Sequence, residues 1–107
     1  MDFKAIRQDM KKFNFETLRM DCDNFFEGVI VSQELAKLHG QLKSSLGDPV
    51  YPPPNRLAHK VRQAVDDLGG VMPGQTLYYK DLGLEGILAM LWPWKDGQRT
   101  TVKIIQQ

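Results

Sequence analysis

The chain has 107 residues, the ordinary size of one domain, and a hydrophobic fraction of 42% that is sufficient for one core. Fourteen Lys and Arg residues nearly balance thirteen Asp and Glu residues, which excludes a strong positive field that would attract nucleic acid or anionic membranes. The single cysteine excludes an internal disulfide, and without a signal peptide or long apolar span we expect a soluble cytoplasmic protein.

The first half of the chain predicts a helix and a β-hairpin. Apolar residues at helical spacing over 2–12 predict a short amphipathic helix, which we expect to dock on its own domain rather than on a membrane. β-Branched and aromatic residues on either side of several turn-forming residues predict a hairpin of 15–20 with Phe25–Val31. A helix through 17–26 is the competing interpretation, and Gly28 with the β-branched run after it is the main argument against it.

Two more helices are predicted in the middle of the chain. Ser32 is expected to cap a helix over 33–46 that ends at Gly47. Four prolines in 48–54 predict an extended connection, and Asn55 is expected to cap a third helix over 56–68, ended by two glycines. The β-favouring residues of 76–80 then predict a strand.

The most informative stretch is a predicted hairpin of strands 87–93 and 99–105, joined through an Asp-Gly turn. We favour a four-residue loop, because a two-residue loop would require a hydrogen bond from the nitrogen of Pro93. Side chains alternate across a strand, so one hairpin face is small and apolar while the other is aromatic and half basic. The aromatic and basic face carries Leu88, Met90, Trp92, Trp94, Arg99, Thr101, Lys103 and Ile105.

Together these elements predict an α+β fold with one antiparallel sheet. The sheet combines the N-terminal hairpin with a C-terminal three-stranded meander, and about three helices pack mainly on one of its faces. Residues 1–107 are expected to form a single domain, in which 1–13 could be an N-terminal helical extension.

Residues that could carry chemistry are few. Cys22 lies between two aspartates whose charges disfavour a reactive thiolate. His39 and His59 lie on different predicted helices without partners at a metal-ligand spacing, and the glycines form no phosphate-binding loop. We therefore expect no metal and no cofactor, and we favour a non-catalytic protein.

The functional hypothesis rests on the aromatic and basic face of the C-terminal hairpin. Aromatic, Met and Arg residues are enriched at protein interfaces, which favours an open face. The alternative is that the tryptophans are buried under a helix, as tryptophans on strands commonly are, and the first helix could supply that cover. The predicted contact residues are Met90, Trp92, Trp94, Arg99, Thr101 and Lys103, and a secondary candidate surface comprises Tyr51, Arg56, His59 and Lys60.

Three functions compete. The first is a protein-interaction or self-association module, with strand 99–105 as a candidate pairing edge and a protein or a second copy as partner. The second is binding of single-stranded nucleic acid by stacking on the tryptophans, which the near-neutral charge disfavours. The third is a small enzyme with a site near Tyr78, Lys80 and Asp81. We favour the first, and we expect neither a membrane nor a metal as a partner of this protein.

Overall fold

The computed structural model describes residues 3–51, 59–66, 70, 74–83 and 85–106. The predicted α+β fold and order of elements are confirmed, and no strand boundary differs from its predicted position by more than one residue. The elements in chain order are α1 (Phe3–Met10), β1 (Phe15–Asp21), β2 (Phe25–Val31), α2 (Ser32–Leu46), α3 (His59–Asp66), β3 (Thr76–Asp81), β4 (Gly86–Pro93) and β5 (Arg99–Gln106).

The five strands form one antiparallel sheet in the order β1-β2-β5-β4-β3. The N-terminal hairpin therefore joins the C-terminal meander through β2 and β5, whose pairing runs from Phe25 opposite Ile105 to Val31 opposite Arg99. The expectation that strand 99–105 lies at an edge is wrong. Because β5 has a neighbour on both sides, its backbone groups are occupied, and β1 and β3 are the outer strands instead.

The register of the β4–β5 hairpin is the predicted one. Trp92 pairs with Thr101 and Met90 pairs with Lys103, so these four side chains lie on the same face of the sheet. β4 also lies between β5 and β3, as its continuous apolar run indicates.

The loop of this hairpin has the favoured length of four residues. The Trp94 N–H donates to the Arg99 carbonyl at 2.8 Å, and the Gly97 N–H donates to the Trp94 carbonyl at 3.2 Å. Gly97 has φ +70°, a conformation that glycine adopts without a steric penalty. β3 begins opposite Leu91, before Pro93 is reached, so the missing proline N–H removes no bond from the β3–β4 ladder.

Helices α1 and α2 cover one face of the sheet, which we call the helix-covered face. α1 is amphipathic as predicted, and Phe3, Ile6 and Met10 are all buried beneath it. The core of this face comprises Phe3, Ile6, Met10, Phe26, Ile30, Leu38, Leu42, Leu46, Tyr78, Ile87, Ala89, Leu91, Val102 and Ile104.

Helix α3 packs on the opposite face, over β3 and β4. Its Ala64 and Val65 contact a smaller cluster of Leu77, Leu88 and Met90. The helices thus lie mainly on one face, two against one. Because α3 reaches only one side of the second face, no helix of the described residues packs on the part of that face formed by β5, β2 and β1.

The predicted N-cap of α2 is wrong, whereas its predicted end is right. Ser32 is the first helical residue, Val31 precedes it, and no side chain caps the helix. The Ser32 hydroxyl instead donates to the Gly97 carbonyl at 3.0 Å, because the hairpin loop lies beside the helix start. At the other end, Gly47 has φ +89° and its N–H donates to the Lys43 carbonyl at 2.9 Å.

The connections around α3 fit the expected pattern where the structure describes them. Tyr51 forms an isolated antiparallel bridge with Leu77, as an extended proline-rich connection allows. Gly70 has φ +86° and its N–H donates to the Val65 carbonyl after α3. The predicted cap Asn55 and Gly69 lie outside the described residues. Of the helices in the described residues, none is long and apolar enough to cross a membrane.

Candidate functional site

The part of the second face beyond α3 forms a concave cavity of about 430 Å³, which we call the hairpin groove. Its volume lies within the range of about 300–1,000 Å³ that is usual for ligand sites. The groove is lined by Arg19, Phe25, Glu27, Gly70, Gln75, Met90, Trp92, Trp94, Thr101, Lys103 and Ile105.

The structure brings the predicted contact residues together. Five of them line the hairpin groove directly: Met90, Trp92, Trp94, Thr101 and Lys103. The sixth, Arg99, lies beside it with its guanidinium carbon 5.8 Å from the Trp94 ring centroid. Their role in binding stays a prediction, but their shared location is a property of the fold.

Of the two alternatives for the tryptophans, cover by α1 is the one that the structure contradicts. α1 packs on the helix-covered face, whereas the tryptophans lie on the other face. Trp92 is 48% exposed and Trp94 is 37% exposed. Large apolar side chains are therefore available to a partner at this surface.

The two indole rings differ in how they are held. Trp94 donates from Nε1 to the Thr101 hydroxyl at 2.8 Å, and the guanidinium carbons of Arg19 and Arg99 lie 6.0 and 5.8 Å from its ring centroid. These distances are at the outer limit of a cation–π contact. The indole of Trp92, by contrast, forms no hydrogen bond, aromatic ring contact or cation–π contact with any residue that the structure describes. Trp94 is thus held in place as one wall of the groove, whereas the Trp92 indole has no such restraint and is open to a partner.

Arg99 supports this wall and is not a free cation. Its Nε donates to both carboxylate oxygens of Glu16 at 2.9 Å, and its Nη1 donates to Asp96 at 2.8 Å. The hydrogen bonds that the guanidinium donates to Glu16 and then to Asp96 raise the pKa of Arg99. The backbone N–H of Gln98, with further help from Arg99, lowers the pKa of the Asp96 carboxyl. The charge of Arg99 is already satisfied within the chain.

Two irregularities of β1 supply residues to the same wall. The β1–β2 register shifts between Phe15 and Thr17 and again between Leu18 and Met20, so Glu16 and Arg19 are the extra residues. Such bulges redirect side chains out of the regular alternation. Glu16 reaches Arg99, and Arg19 reaches both Trp94 and the Glu27 carboxylate.

Sequence reasoning missed the contribution of the N-terminal hairpin to the groove. Arg19, Phe25 and Glu27 belong to β1 and β2, and Gln75 precedes β3. The alternation of β2 places Phe25 and Glu27 on one face, which the sequence does show. The missing information was the pairing of β2 with β5, which puts that face beside the tryptophans.

Lys103 lines the groove from β5, the middle strand of the sheet. It lies opposite Met90 on β4 and opposite Glu27 on β2. The Glu27 carboxylate, however, accepts a bond from Arg19 at 3.2 Å. Lys103 is partly buried, and its ammonium group forms no ion pair or hydrogen bond with any residue in the described part of the chain. The groove therefore combines exposed indole surface with an unneutralised cation.

The structure describes three of the four residues of the secondary candidate surface. Tyr51 is half-buried and packs against the cluster under α3. Lys60 is engaged by the Asp81 carboxylate at 3.0 Å and by the Gly83 carbonyl at 3.1 Å, while His59 is exposed. Arg56 lies outside the described residues.

The residues of the enzyme alternative are divided between the two faces. Tyr78 is buried on the helix-covered face, where its hydroxyl shares a hydrogen bond of 2.7 Å with His39 Nδ1, and burial lowers the pKa of that imidazole. Lys80 on the same face approaches the Ser45 carbonyl at 3.5 Å. Asp81 instead binds Lys60, and the Gly83 N–H and then Lys60 hold the pKa of its carboxyl low. The fold does not gather these groups into one site.

A metal site is likewise not formed by the residues that the structure describes: no three or more His, Cys, Asp or Glu side chains are placed to hold an ion. Comparison with known proteins gives no further guide. No protein-family model, no curated protein and no solved structure matches the chain. A functional conclusion therefore has to come from the geometry of the hairpin groove.

Proposed function

We propose that this protein is a non-catalytic binding module that holds a segment of another protein in the hairpin groove. The observation that carries the proposal is Trp92, which is 48% exposed at a concave site and whose indole nitrogen donates to no residue that the structure describes. Burying apolar surface contributes roughly 25 cal/mol per Å², and an indole is among the largest side chains. Tryptophan is also among the residues that dominate binding energies at protein interfaces.

The groove is preorganised, which favours binding. Trp94 is held by Thr101 and by two guanidinium groups, and Arg99 is itself fixed by two carboxylates. Side chains that are ordered before binding lose little conformational entropy when a partner arrives. The wall of the groove formed by Trp94 therefore has a defined shape in the free protein.

A different protein fits this groove better than a second copy of the chain. In a two-fold contact the groove would face its own Lys103 and Arg19, and Glu27 is already engaged by Arg19. Like charges facing each other disfavour such a contact. Pairing through β5 is not available either, since both sides of that strand are occupied.

The test is selection of a displayed library of linear peptides on the wild-type protein. The two tryptophans of the chain both line the groove, so intrinsic fluorescence reports on this site alone. Selected peptides are expected to change that fluorescence, and Trp92→Ala is expected to weaken their binding by about 30-fold, as for an interface hot spot.

The matched control is Leu18→Ala, which removes an apolar side chain that is 56% exposed on β1 and does not line the groove. It should leave binding, measured by calorimetry, unchanged. A selection without binders, or peptides that bind the Trp92→Ala protein as well as wild type, would overturn the proposal. So would a dimer in light scattering that Trp92→Ala dissociates, because the groove would then belong to a second copy.

A further inference from the structure

We infer that the segment bound in the hairpin groove is acidic, with a carboxylate that pairs with Lys103 and a bulky apolar side chain that packs on Trp92. This inference rests on the proposed function and specifies the chemistry of the partner. The starting point is the charge of the described residues that line the groove, which are two cations, Arg19 and Lys103, and one acid, Glu27.

The pairing of those three charges leaves one cation for a ligand. Glu27 lies opposite Lys103 in the β2–β5 register, yet its carboxylate is bound by Arg19 at 3.2 Å. The bulge that inserts Arg19 into β1 is thus what leaves Lys103 unpaired among the described residues. A partly buried cation is screened less by water and salt than a surface one, so a ligand carboxylate gains more there.

The surroundings of Lys103 select an apolar neighbour for that carboxylate. Met90 lies opposite it and Ile105 lies two positions along β5 on the same face. Trp92 is the diagonal neighbour of Lys103 across the β4–β5 pair, because it follows Met90 by two residues. Diagonal neighbours on one sheet face are separated by about 7–8 Å.

That separation predicts a spacing in the partner. Same-side residues of an extended chain repeat at about 7 Å, which matches the general spacing of diagonal neighbours such as Lys103 and Trp92. The partner segment is therefore an extended one in which Asp or Glu and a bulky apolar residue are two positions apart. Nucleic acid fits less well, because its binding depends on many cations that follow the backbone, and this lining offers one unpaired cation among the described residues.

The experiment uses two blocked synthetic peptides that differ in one group. One has glutamate two positions before phenylalanine, and the other has glutamine in place of the glutamate. Tryptophan fluorescence of the intact protein measures both affinities. The glutamate peptide is expected to bind wild type about tenfold more tightly, as for one charge-assisted hydrogen bond, and to lose that advantage at high salt.

Substitutions of Lys103 and Lys95 test which lysine causes the preference for the glutamate peptide. Lys103→Met should lower the affinity for the glutamate peptide to that for the glutamine peptide, whereas Lys103→Arg should keep the preference. Lys95→Met is the matched control, since Lys95 is an exposed lysine of the same hairpin that does not line the groove. Urea unfolding of each variant verifies that the fold is retained.

The outcomes separate the two proposals. Equal affinity for both peptides, with Trp92→Ala still abolishing binding, would overturn the acidic partner and leave the binding groove intact. A preference that survives Lys103→Met would also overturn it, as would selected peptides without an acid two positions from an apolar residue. Tighter, Lys103-dependent binding of a single-stranded oligonucleotide would replace the acidic peptide. Failure of every peptide to respond to Trp92→Ala would instead overturn the proposed function.

Discussion

The two faces of the sheet are made by the same strands and yet have different surroundings. On the helix-covered face, Ile30, Ala89 and Val102 are completely buried beneath α1 and α2. On the other face, Trp92 is 48% exposed, although it directly follows the buried Leu91 on β4. The contrast shows that adjacent positions of one strand serve stability on one side and are available for binding on the other.

The difference arises from the cover and not from the strands themselves. α3 protects only the β3 and β4 side of the second face, so the apolar residues beyond it form the hairpin groove. Single exposed apolar side chains are ordinary, but a clustered set in a concavity is typical of an interaction site. Variants that affect one face without the other test this separation directly.

The largest expected contrast comes from two neighbouring phenylalanines. Phe26 is 1% exposed in the helix-covered core, whereas Phe25 is half-buried and lines the groove. Phe26→Ala should lower the free energy of unfolding by about 3–5 kcal/mol, and Phe25→Ala by about 1–2 kcal/mol. Urea denaturation measures both values.

Peptide binding should show the opposite order. Phe25→Ala is expected to weaken binding in the groove, whereas the milder Phe26→Leu, which keeps the fold, is expected to leave it unchanged. Equal stability losses, or weaker binding caused by Phe26→Leu, would mean that the two faces are not separable in this way.

A smaller effect is expected from a methyl group added under Phe15. A Cβ at Gly28 would lie 2.7 Å from Phe15 Cδ1 and 3.1 Å from the Thr17 carbonyl oxygen. Gly28→Ala should therefore destabilise the protein by about 1–3 kcal/mol through overpacking. Gly40→Ala is the control, because its Cβ would meet nothing within 4 Å on α2 and should stabilise the helix by about 0.5–1 kcal/mol. Thermal unfolding distinguishes them, and equal melting temperatures would contradict the close packing at Gly28.

The smallest effect is a pH dependence that belongs to the helix-covered face. Burial lowers the pKa of His39 below its ordinary value of 6.5, and its Nδ1 shares a hydrogen bond with the Tyr78 hydroxyl. Below about pH 6.5 the unfolded chain therefore binds more protons at His39 than the folded protein does. The contribution of His39 to stability is complete above about pH 6.5 and declines as the pH falls towards the pKa of the folded state. Urea midpoints at about pH 7 and 5.5 should differ less in His39→Gln. A slope unchanged by that substitution would remove His39 as the cause.

Much of the C-terminal hairpin could be predicted because its geometry is local. The Asp-Gly turn, the alternation of side chains and the constraint at Pro93 together fixed the loop length and the pairing of Trp92 with Thr101. The end of α2 at Gly47 followed from the same kind of short-range rule. The location of five of the six predicted contact residues in one groove rests on that register.

The rest of the site depended on contacts between distant parts of the chain. Ser32 has a side chain that is common at helix caps, but its hydroxyl donates a hydrogen bond to the nearby Gly97 carbonyl instead. Arg99 and Lys103 look alike as cations of one strand, yet Glu16 and Asp96 engage the first. Asp96 is only three residues from Arg99, but the Glu16 carboxylate arrives from a bulge in β1, which no stretch near Arg99 contains.

The sequence by itself determined which side chains share a strand face, where the turns fall and which helices are amphipathic, because backbone geometry sets these over a few residues. Only the tertiary structure decided that β2 pairs with β5, that α1 and α2 cover one face and that the indoles stay open to solvent. Those outcomes depend on which apolar surfaces bury each other most completely, a balance over the whole chain that no short stretch contains.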